Sequence, residues 1–475
     1  MSGARARVTL VAPPSDFLHH LYGFRGRGSY RNQLPLGLGY LAAAVRAQGM
    51  AVQILDAAAH GWDGPTTLER VLETEPDVIG ISAITLEAPR AYGLAAALRP
   101  RTDAWLVLGG AHANACHDMI PDECTAFDAL AVGDGEPTLV ELCQAREHGD
   151  TLAGIAGLRA RRPDGTYGAL IERPVIPDLD TLLPPAFDLF RHELYRPLPH
   201  RRRRLPASCL ITSRGCSFAR CTYCEMSHAV RRTYRRHSAA RVVSDVKALV
   251  AVTHAREIYF QDDIFITDPA WVQELCERLV HERLDLIWSC ESRFGGVTAE
   301  LLTHMRRAGC WRIYYGLESG DQALLDRIHK GFTLAEARAA VNLARAAGLE
   351  VVGFFMLGLP GETPQKAEST IAYSLSLGLD HAVYSLTVPH RGTELYDICS
   401  TEGQVLRERG YEAKRASYLP AAYRSAAQLE QLRRRAFRRF YLRPVYWWQC
   451  LRRIRSFADL RYYAEGLLGL LRFIE

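Results

Sequence analysis

Lysine is scarce in this chain. Only Lys247, Lys330, Lys366 and Lys414 carry it among 58 basic residues, and the rest are arginine. So uniform a preference reads as a coding bias, so an individual arginine is not evidence of a forked anion site. Long apolar runs are missing as well. No stretch approaches the roughly 18 residues needed to cross a bilayer. The start, "MSGARARVTLVAPP", passes from a few basic residues straight into a strand-like segment, without the pattern of a cleavable signal. Strong net charge is also absent: the balance over 475 residues is +5. That charge is uneven, because from Gln431 onward eleven arginines face only Asp459, Glu465 and Glu475. Hydrophobic residues at 48% and charged residues at 23% exclude a disordered or fibrous chain, and the length allows two or three domains. The twelve cysteines, spread along a chain without a secretory pattern, imply a reducing, cytoplasmic setting. Nine of them (Cys116, Cys124, Cys143, Cys209, Cys276, Cys290, Cys310, Cys399 and Cys450) are scattered and read as small buried hydrophobes.

What is present is an α/β alternation. In residues 1–150, "RVTLVAPP", "AVQILDA", "DVIGISAIT", "AWLVLGGAH" and "DALAVGDGEPT" read as short apolar strands separated by helices such as "LPLGLGYLAAAVRAQG". Continuous apolar strands between helices predict a flavodoxin-like (Rossmann-type) parallel sheet covered on both faces. Ligands of such sheets bind beyond the carboxyl ends of the strands. There the sequence places Pro13, Pro14, Ser82, Thr85, Gly109, Gly110, His112, Gly133, Asp134 and Glu136. Glycines at such ends let a broad or phosphate-bearing ligand approach the backbone.

Residues 151–206 read as a linker, with a hairpin turn in "RRPDGTYG", a proline-rich "RPVIPDLDTLLPPAFDLF" and a solvated charge run at Arg201–Arg204. A second alternation fills 207–400. Its expected strands are "CLITS", "EIYFQDDIFI", "LIWSCES", "WRIYYGLES", "EVVGFFMLG" and "HAVYSLTVP". Six such units predict a partial β/α barrel with its chemistry at the C-terminal strand ends. Cysteines follow the first strand, Asp262 and Asp263 lie on the second, Arg293 follows the third, and Glu318 and Ser319 end the fourth. Adjacent strand residues face opposite sides, so at most one of the two aspartates points into the barrel. Residues 401–475 read as a basic, aromatic helical region.

The most informative stretch is "RGCSFARCTYC", with Cys216, Cys221 and Cys224 separated by gaps of four and two. With His228 it approaches a three-Cys, one-His zinc site, which closes four positions and staples a small domain. This loop instead sits at the expected mouth of a barrel with a large core. Three thiolates on a four-iron cluster leave one iron open to substrate or cofactor.

Together with "GLESG" on the fourth strand and "GLPGET" after the fifth, these cysteines resemble the radical S-adenosylmethionine enzymes. "LPLGLGYLAAAV", "DVIGISA", "VLGGAHAN" and "VGDGEPTLVEL" resemble the cobalamin-binding domain of that superfamily's cobalamin-dependent branch, so the likeness spans about residues 7–395. The resemblance implies three cofactors: a 4Fe-4S cluster on Cys216, Cys221 and Cys224, S-adenosylmethionine on its open iron, and cobalamin. It implies reductive cleavage of S-adenosylmethionine to methionine and a 5′-deoxyadenosyl radical, hydrogen removal from an unactivated carbon, and methyl delivery from methylcobalamin. The cofactors carry this chemistry, and the protein orients them and excludes water. By position, Glu318 and Ser319 would contact S-adenosylmethionine and Arg293 would pair with its carboxylate. Asp262 or Asp263 would serve as base, substrate anchor or polar cap. Pro14, Ser82, Thr85, Gly110, His112, Gly133, Asp134 and Glu136 would line the cobalamin side.

Two departures stand out. The usual first gap between the cysteines is three residues, and here "SFAR" makes it four, which reads as looped-out backbone. The Asp-x-His-x-x-Gly pattern of cobalt-ligating histidines is absent, since "DAAAHG" at Asp56–Gly61 has the wrong spacing. Cobalamin would then lack a histidine ligand, with His60 and His112 as satisfied loop histidines. The tail, with Arg interleaved among aromatics, fits nucleic acid, an anionic membrane surface or a helical cap on the barrel; the cap is the reading adopted. The expected protein is a C-methyltransferase acting on a small molecule or natural product, with flavodoxin or ferredoxin as electron donor and no nucleic-acid partner. Its rivals are a cobalamin-dependent cyclase or rearrangement enzyme, and a zinc-stapled, non-catalytic binding protein.

Overall fold

The computed structural model describes residues 5–15, 33–195, 197, 201–224, 233–407, 415–454 and 463–464. They form two compact units, the first reaching Pro197 and the second holding the described residues from Arg201 on.

In the first unit, β1 (Arg7–Ala12), β2 (Ala51–Asp56), β3 (Val78–Ser82), β4 (Trp105–Gly109), β5 (Ala129–Ala131) and β6 (Leu158–Ala160) form one sheet in the order β2-β1-β3-β4-β5-β6. The first five strands run parallel and β6 is antiparallel to β5. The 2-1-3-4-5 order is that of doubly wound flavodoxin-like sheets, whose ligands lie at the switch point beyond β1 and β3. Two of the described helices of this unit, Ala57–His60 and Gly64–Leu72, start where an aspartate side chain satisfies a first-turn N–H group. Asp63, for example, accepts from Thr66 N at 2.8 Å to open Gly64–Leu72. One face of the sheet buries Val11, Ile79, Ile81, Leu106, Leu108 and Leu130 against Ala91, Leu94 and Leu98 of the helix Ala88–Leu98. The stretch expected as a linker contributes β6 and the hairpin bridge Arg161–Tyr167, so residues 151–197 fold with the first unit.

The second unit has β7 (Ala207–Leu210), then the short β8 (Ser213–Arg214) and β9 (Arg235–Arg236), then β10 (Glu257–Phe260), β11 (Ile287–Ser292), β12 (Cys310–Glu318), β13 (Glu350–Leu357) and β14 (His381–Leu386). β7 and β10 to β14 form an all-parallel sheet in consecutive order, with helices between successive strands. β7 and β14 do not pair with each other, which makes the barrel partial. Alternation sorts each strand's side chains. Phe260 and Trp288 pack with Phe265 and the helix residue Trp271 on the outer face. Tyr259, Glu291, Tyr314 and Phe354 therefore lie on the opposite, inner face.

β10 ends at Phe260, which corrects the expected strand "EIYFQDDIFI". Asp262 and Asp263 stand in the following loop, so the two-sided strand argument does not govern them. Asp262 is buried and Asp263 exposed.

The C-terminal helix Ala426–Tyr441 lies along β14. Arg433 Nε donates to Tyr384 O at 2.9 Å, and Tyr441 OH donates to Ala382 O at 2.9 Å. Phe437 packs edge-on against Tyr384 at 5.3 Å. These described residues of the tail are a cap on the barrel sheet. Residues 455–462 and 465–475 lie outside the described residues.

Candidate active site

The cysteine loop departs just past β7, and the β8–β9 ribbon closes its base with Ser213 opposite Arg236 and Arg214 opposite Arg235. Its middle is stapled from two sides: Thr222 N–H donates to Ile328 O at 3.2 Å, and Thr222 O accepts from Leu395 N at 2.9 Å. The extra residue of the first gap is taken up at Ala219, whose φ of +42° is left-handed, and its N–H donates to Cys216 Sγ at 3.3 Å. Cys216, Cys221 and Cys224 form no disulfide; Cys221 is buried and the others half-buried.

The residues fit an iron–sulfur cluster. Three thiols share one loop at the barrel mouth, a backbone N–H meets Cys216, and Arg293 Nη1 lies 3.9 Å from Cys221 Sγ. Hydrogen-bond donors and positive charge beside the sulfurs suit an anionic iron–sulfur cluster. Among the described residues no three His, Cys, Asp or Glu side chains are drawn together as a metal-binding group. His228, the sequence-level fourth zinc ligand, lies outside the described residues.

Asp262 anchors the start of this loop. Its Oδ1 accepts from Thr212 N at 3.0 Å, Thr212 Oγ1 at 2.9 Å and Ser213 Oγ at 2.5 Å. Burial pushes its carboxyl up to about 6, against the pull of those three donors. Asp262 thus ties the ends of β7 and β10 together two residues before the cysteine loop opens.

Glu318 ends β12 at a left-handed φ of +56°. Its Oε1 accepts from Lys330 Nζ at 2.7 Å and from Tyr223 OH at 3.0 Å, and Lys330 Nζ also donates to Tyr223 OH at 2.7 Å. Burial, then the Glu318 charge, pushes the Tyr223 hydroxyl well above its usual range. Ser319 is fully buried: its Oγ accepts from Asp321 N at 3.1 Å and lies 3.2 Å from Thr370 Oγ1. Arg293 lies against Phe218 of the cysteine loop, 3.4 Å from its ring centroid, and donates to the Lys330 carbonyl. In "GLPGET", Glu362 accepts from Gly358 N and Tyr423 OH, both at 2.6 Å, so this carboxylate holds the turn together.

On the inner face, register sets Glu291 beside Tyr314, and Gly316 beside Phe354. Tyr259 OH hydrogen-bonds Glu291, while Tyr314 and Phe354 stack at 5.8 Å and 13°. Burial raises the Glu291 carboxyl, yet the residue keeps accessible surface, so it borders space inside the barrel. Below it, Arg312 pairs with Glu350 at 2.6 Å and both are buried, which floors that space.

In the first unit the expected residues gather at the carboxyl edge of the sheet: Pro14 after β1, Ser82 and Thr85 at β3, Gly110 and His112 after β4, and Gly133, Asp134 and Glu136 after β5. Gly110 has φ +90°, and a Cβ there would lie 2.7 Å from Ser82 Oγ, so only glycine fits. Gly133 N donates to Asn114 Oδ1 at 2.7 Å, Asp134 Oδ2 accepts from Ile176 N at 2.8 Å, and Glu136 is buried. His112 is buried with both ring nitrogens facing protein hydroxyls, Tyr92 OH at 2.6 Å and Thr85 Oγ1 at 3.4 Å. His60 Nδ1 lies 2.8 Å from Asp56 O, and its ring stacks on Trp62 at 4.2 Å. Small residues ending four adjacent strands leave an edge that suits a broad ligand such as cobalamin.

A flavodoxin-like unit joined to a partial barrel with a three-cysteine loop defines the class: a cofactor-binding domain attached to a radical enzyme. The family model for the B12 binding domain matches residues 30–143, and that for the Radical SAM superfamily matches 210–373. An uncharacterized methyltransferase of Pyrococcus horikoshii is 30% identical over 441 residues, 92% of this chain and 93% of that protein. An anaerobic magnesium-protoporphyrin IX monomethyl ester cyclase of Rubrivivax gelatinosus is 25% identical over 90% of this chain and 78% of its own. The solved radical S-adenosylmethionine methyltransferase TsrM of Kitasatospora setae, with tryptophan and a SAM analogue bound, shares the fold at TM-score 0.66 and 20% identity, over 90% of this chain and 83% of that one. The chain belongs to the cobalamin-dependent radical S-adenosylmethionine methyltransferase family. Its cofactors are a 4Fe-4S cluster, S-adenosylmethionine and cobalamin, and its reaction requires a reductant and a small-molecule substrate. No described helix is long and apolar enough to cross a membrane.

Sequence reasoning passed over Tyr223, Phe218 and Lys330. One signal was available: Lys330 is one of four lysines in an arginine-dominated chain, and it is buried beside the cysteine loop. The Tyr259–Glu291 pair carried no such mark, because its partners come from separate strands.

Proposed function

We propose that this enzyme methylates an unactivated carbon of a small molecule of the natural-product kind, in the cytoplasm, with flavodoxin or ferredoxin as electron donor. The observation that carries this reading is the methyltransferase relative matched along 93% of its length. When bound, the cofactors supply a 5′-deoxyadenosyl radical for hydrogen removal and a methyl group for transfer. The chain's residues supply the setting. Cys216, Cys221 and Cys224 hold the cluster, and Asp262 fixes where their loop begins. Glu318 and Ser319 form the S-adenosylmethionine wall, with Glu318 braced by Lys330 and Tyr223. The edge formed by Pro14, Ser82, Thr85, Gly110, His112, Gly133, Asp134 and Glu136 would take cobalamin, with both His112 ring nitrogens facing Tyr92 and Thr85. Tyr259, Glu291, Tyr314 and Phe354 offer the substrate an aromatic bed with one carboxyl. Asp263, exposed beside Asp262, is the remaining candidate for a polar contact to substrate.

The cyclase relative favours a second reading in which the same cofactors drive cyclisation or rearrangement without methyl transfer. Anaerobic turnover with product analysis separates the two. Methylation releases S-adenosylhomocysteine with 5′-deoxyadenosine and a product one methyl group heavier. 5′-Deoxyadenosine alone, with no added methyl, would overturn the methyltransferase reading.

A further inference from the structure

We propose that Arg293 tunes the iron–sulfur cluster of the cysteine loop, easing its one-electron reduction, and that Phe218, inside the four-residue gap, is the platform that holds it there. This rests on the family reading that the three cysteines carry a cluster.

Arg293 leaves β11 at the barrel mouth, where the sequence alone makes it a partner for the S-adenosylmethionine carboxylate. Its contacts point elsewhere. One nitrogen lies 3.9 Å from Cys221 Sγ, another donates to the Lys330 carbonyl, and the guanidinium sits 3.4 Å from the centroid of Phe218. A second ring, Phe332, stands 6.0 Å away. A guanidinium held between a ring and a carbonyl is restrained in orientation, and its charge is directed at a cluster ligand. An N–H donor and a positive charge beside a ligating sulfur stabilise the state carrying the added electron, which raises the reduction potential.

Phe218 belongs to the segment that makes this cysteine spacing unusual. Ala219, next to it, takes the left-handed turn that accommodates the extra residue. The Phe218 ring rests on Gly331, where a Cβ would lie 2.8 Å from Cζ, so the absence of a side chain at 331 makes the seat. The long gap thus places an aromatic plate under Arg293.

The test is anaerobic reconstitution of the full chain, with iron and sulfide analysis followed by a redox titration read by electron paramagnetic resonance. Arg293→Gln should bind the same iron and lower the reduced-to-oxidised ratio at fixed potential by roughly 10-fold, about 59 mV for a one-electron couple. Phe218→Leu should shift it the same way by less, and Arg293→Lys should keep part of the wild-type value. Unchanged potentials in Arg293→Gln would overturn the proposal; if that variant loses its cluster, unchanged potentials in Phe218→Leu and Arg293→Lys would do so. A normal potential with weakened S-adenosylmethionine binding would return Arg293 to the carboxylate role. Wild-type protein that takes up zinc and no iron would remove the cluster reading itself, a separate failure.

Discussion

Lys330 Nζ lies 2.7 Å from Glu318 Oε1, and both side chains are buried beside the cysteine loop. Breaking such a pair by removing one partner leaves an uncompensated charge, at a cost of about 3–5 kcal/mol. Lys330→Met should therefore lower the thermal midpoint of the apo-protein sharply, and adding Glu318→Gln should restore part of it. Tyr223→Phe, which removes only a hydroxyl, should cost about 1 kcal/mol.

Asp262→Ala should act on the cluster through the loop's origin. It strips one acceptor from three donors, Thr212 N, Thr212 Oγ1 and Ser213 Oγ, each buried. Leaving buried donors unmet costs of order 1–3 kcal/mol apiece. The expected outcome is a lower midpoint with reduced iron incorporation. Asp262→Asn, which keeps the accepting oxygen, should retain most of both.

Buried carboxyls give a pH dependence with a defined sign. Burial raises Glu362 and Glu257 from 4.5 to about 7, and Asp262 from 3.8 to about 6. The folded chain keeps these protons where the unfolded chain has lost them. Their contribution is intact below the unfolded values, declines as pH rises from about 4 to 7, and is lost above the folded values. Urea midpoints across that range should show a shallower decline for Glu362→Gln than for wild type. Parallel curves would remove Glu362 from the account.

Iron content sorts the cysteines. Cys216→Ala, Cys221→Ala and Cys224→Ala should each abolish a reconstituted four-iron cluster. Cys276→Ala, at a thiol on the helix Pro269–Glu282 that burial pushes well above its usual range of ionisation, should leave iron loading unchanged.

The strand–helix alternation and fold class of both units were legible because their strands are short, continuous and apolar, with helices between. β6, within residues 151–197 of the first unit, carried no signal, since three residues of edge strand hold too little pattern to separate from coil. The strand assigned through Asp263 failed for a physical reason: after Phe260 the apolar run continues as Ile264, Phe265 and Ile266, buried residues of a loop. The cysteine loop could be read from spacing, but its supports could not. Ile328, Leu395, Arg293 and Lys330 lie 72 to 173 residues beyond the loop residues they meet (Cys221, Thr222 and Tyr223), which only the fold brings near.

A barrel that stops at six strands has an outermost strand, and on β14 the carbonyls of Ala382 and Tyr384 face away from β13. Such a border is a template on which a neighbouring molecule can add a strand. Tyr441 and Arg433 occupy those carbonyls, so the arginine-rich tail shields the chain from self-templating. A chain ended before Ser425 should bare that border and associate in a concentration-dependent way, whatever the fate of its chemistry.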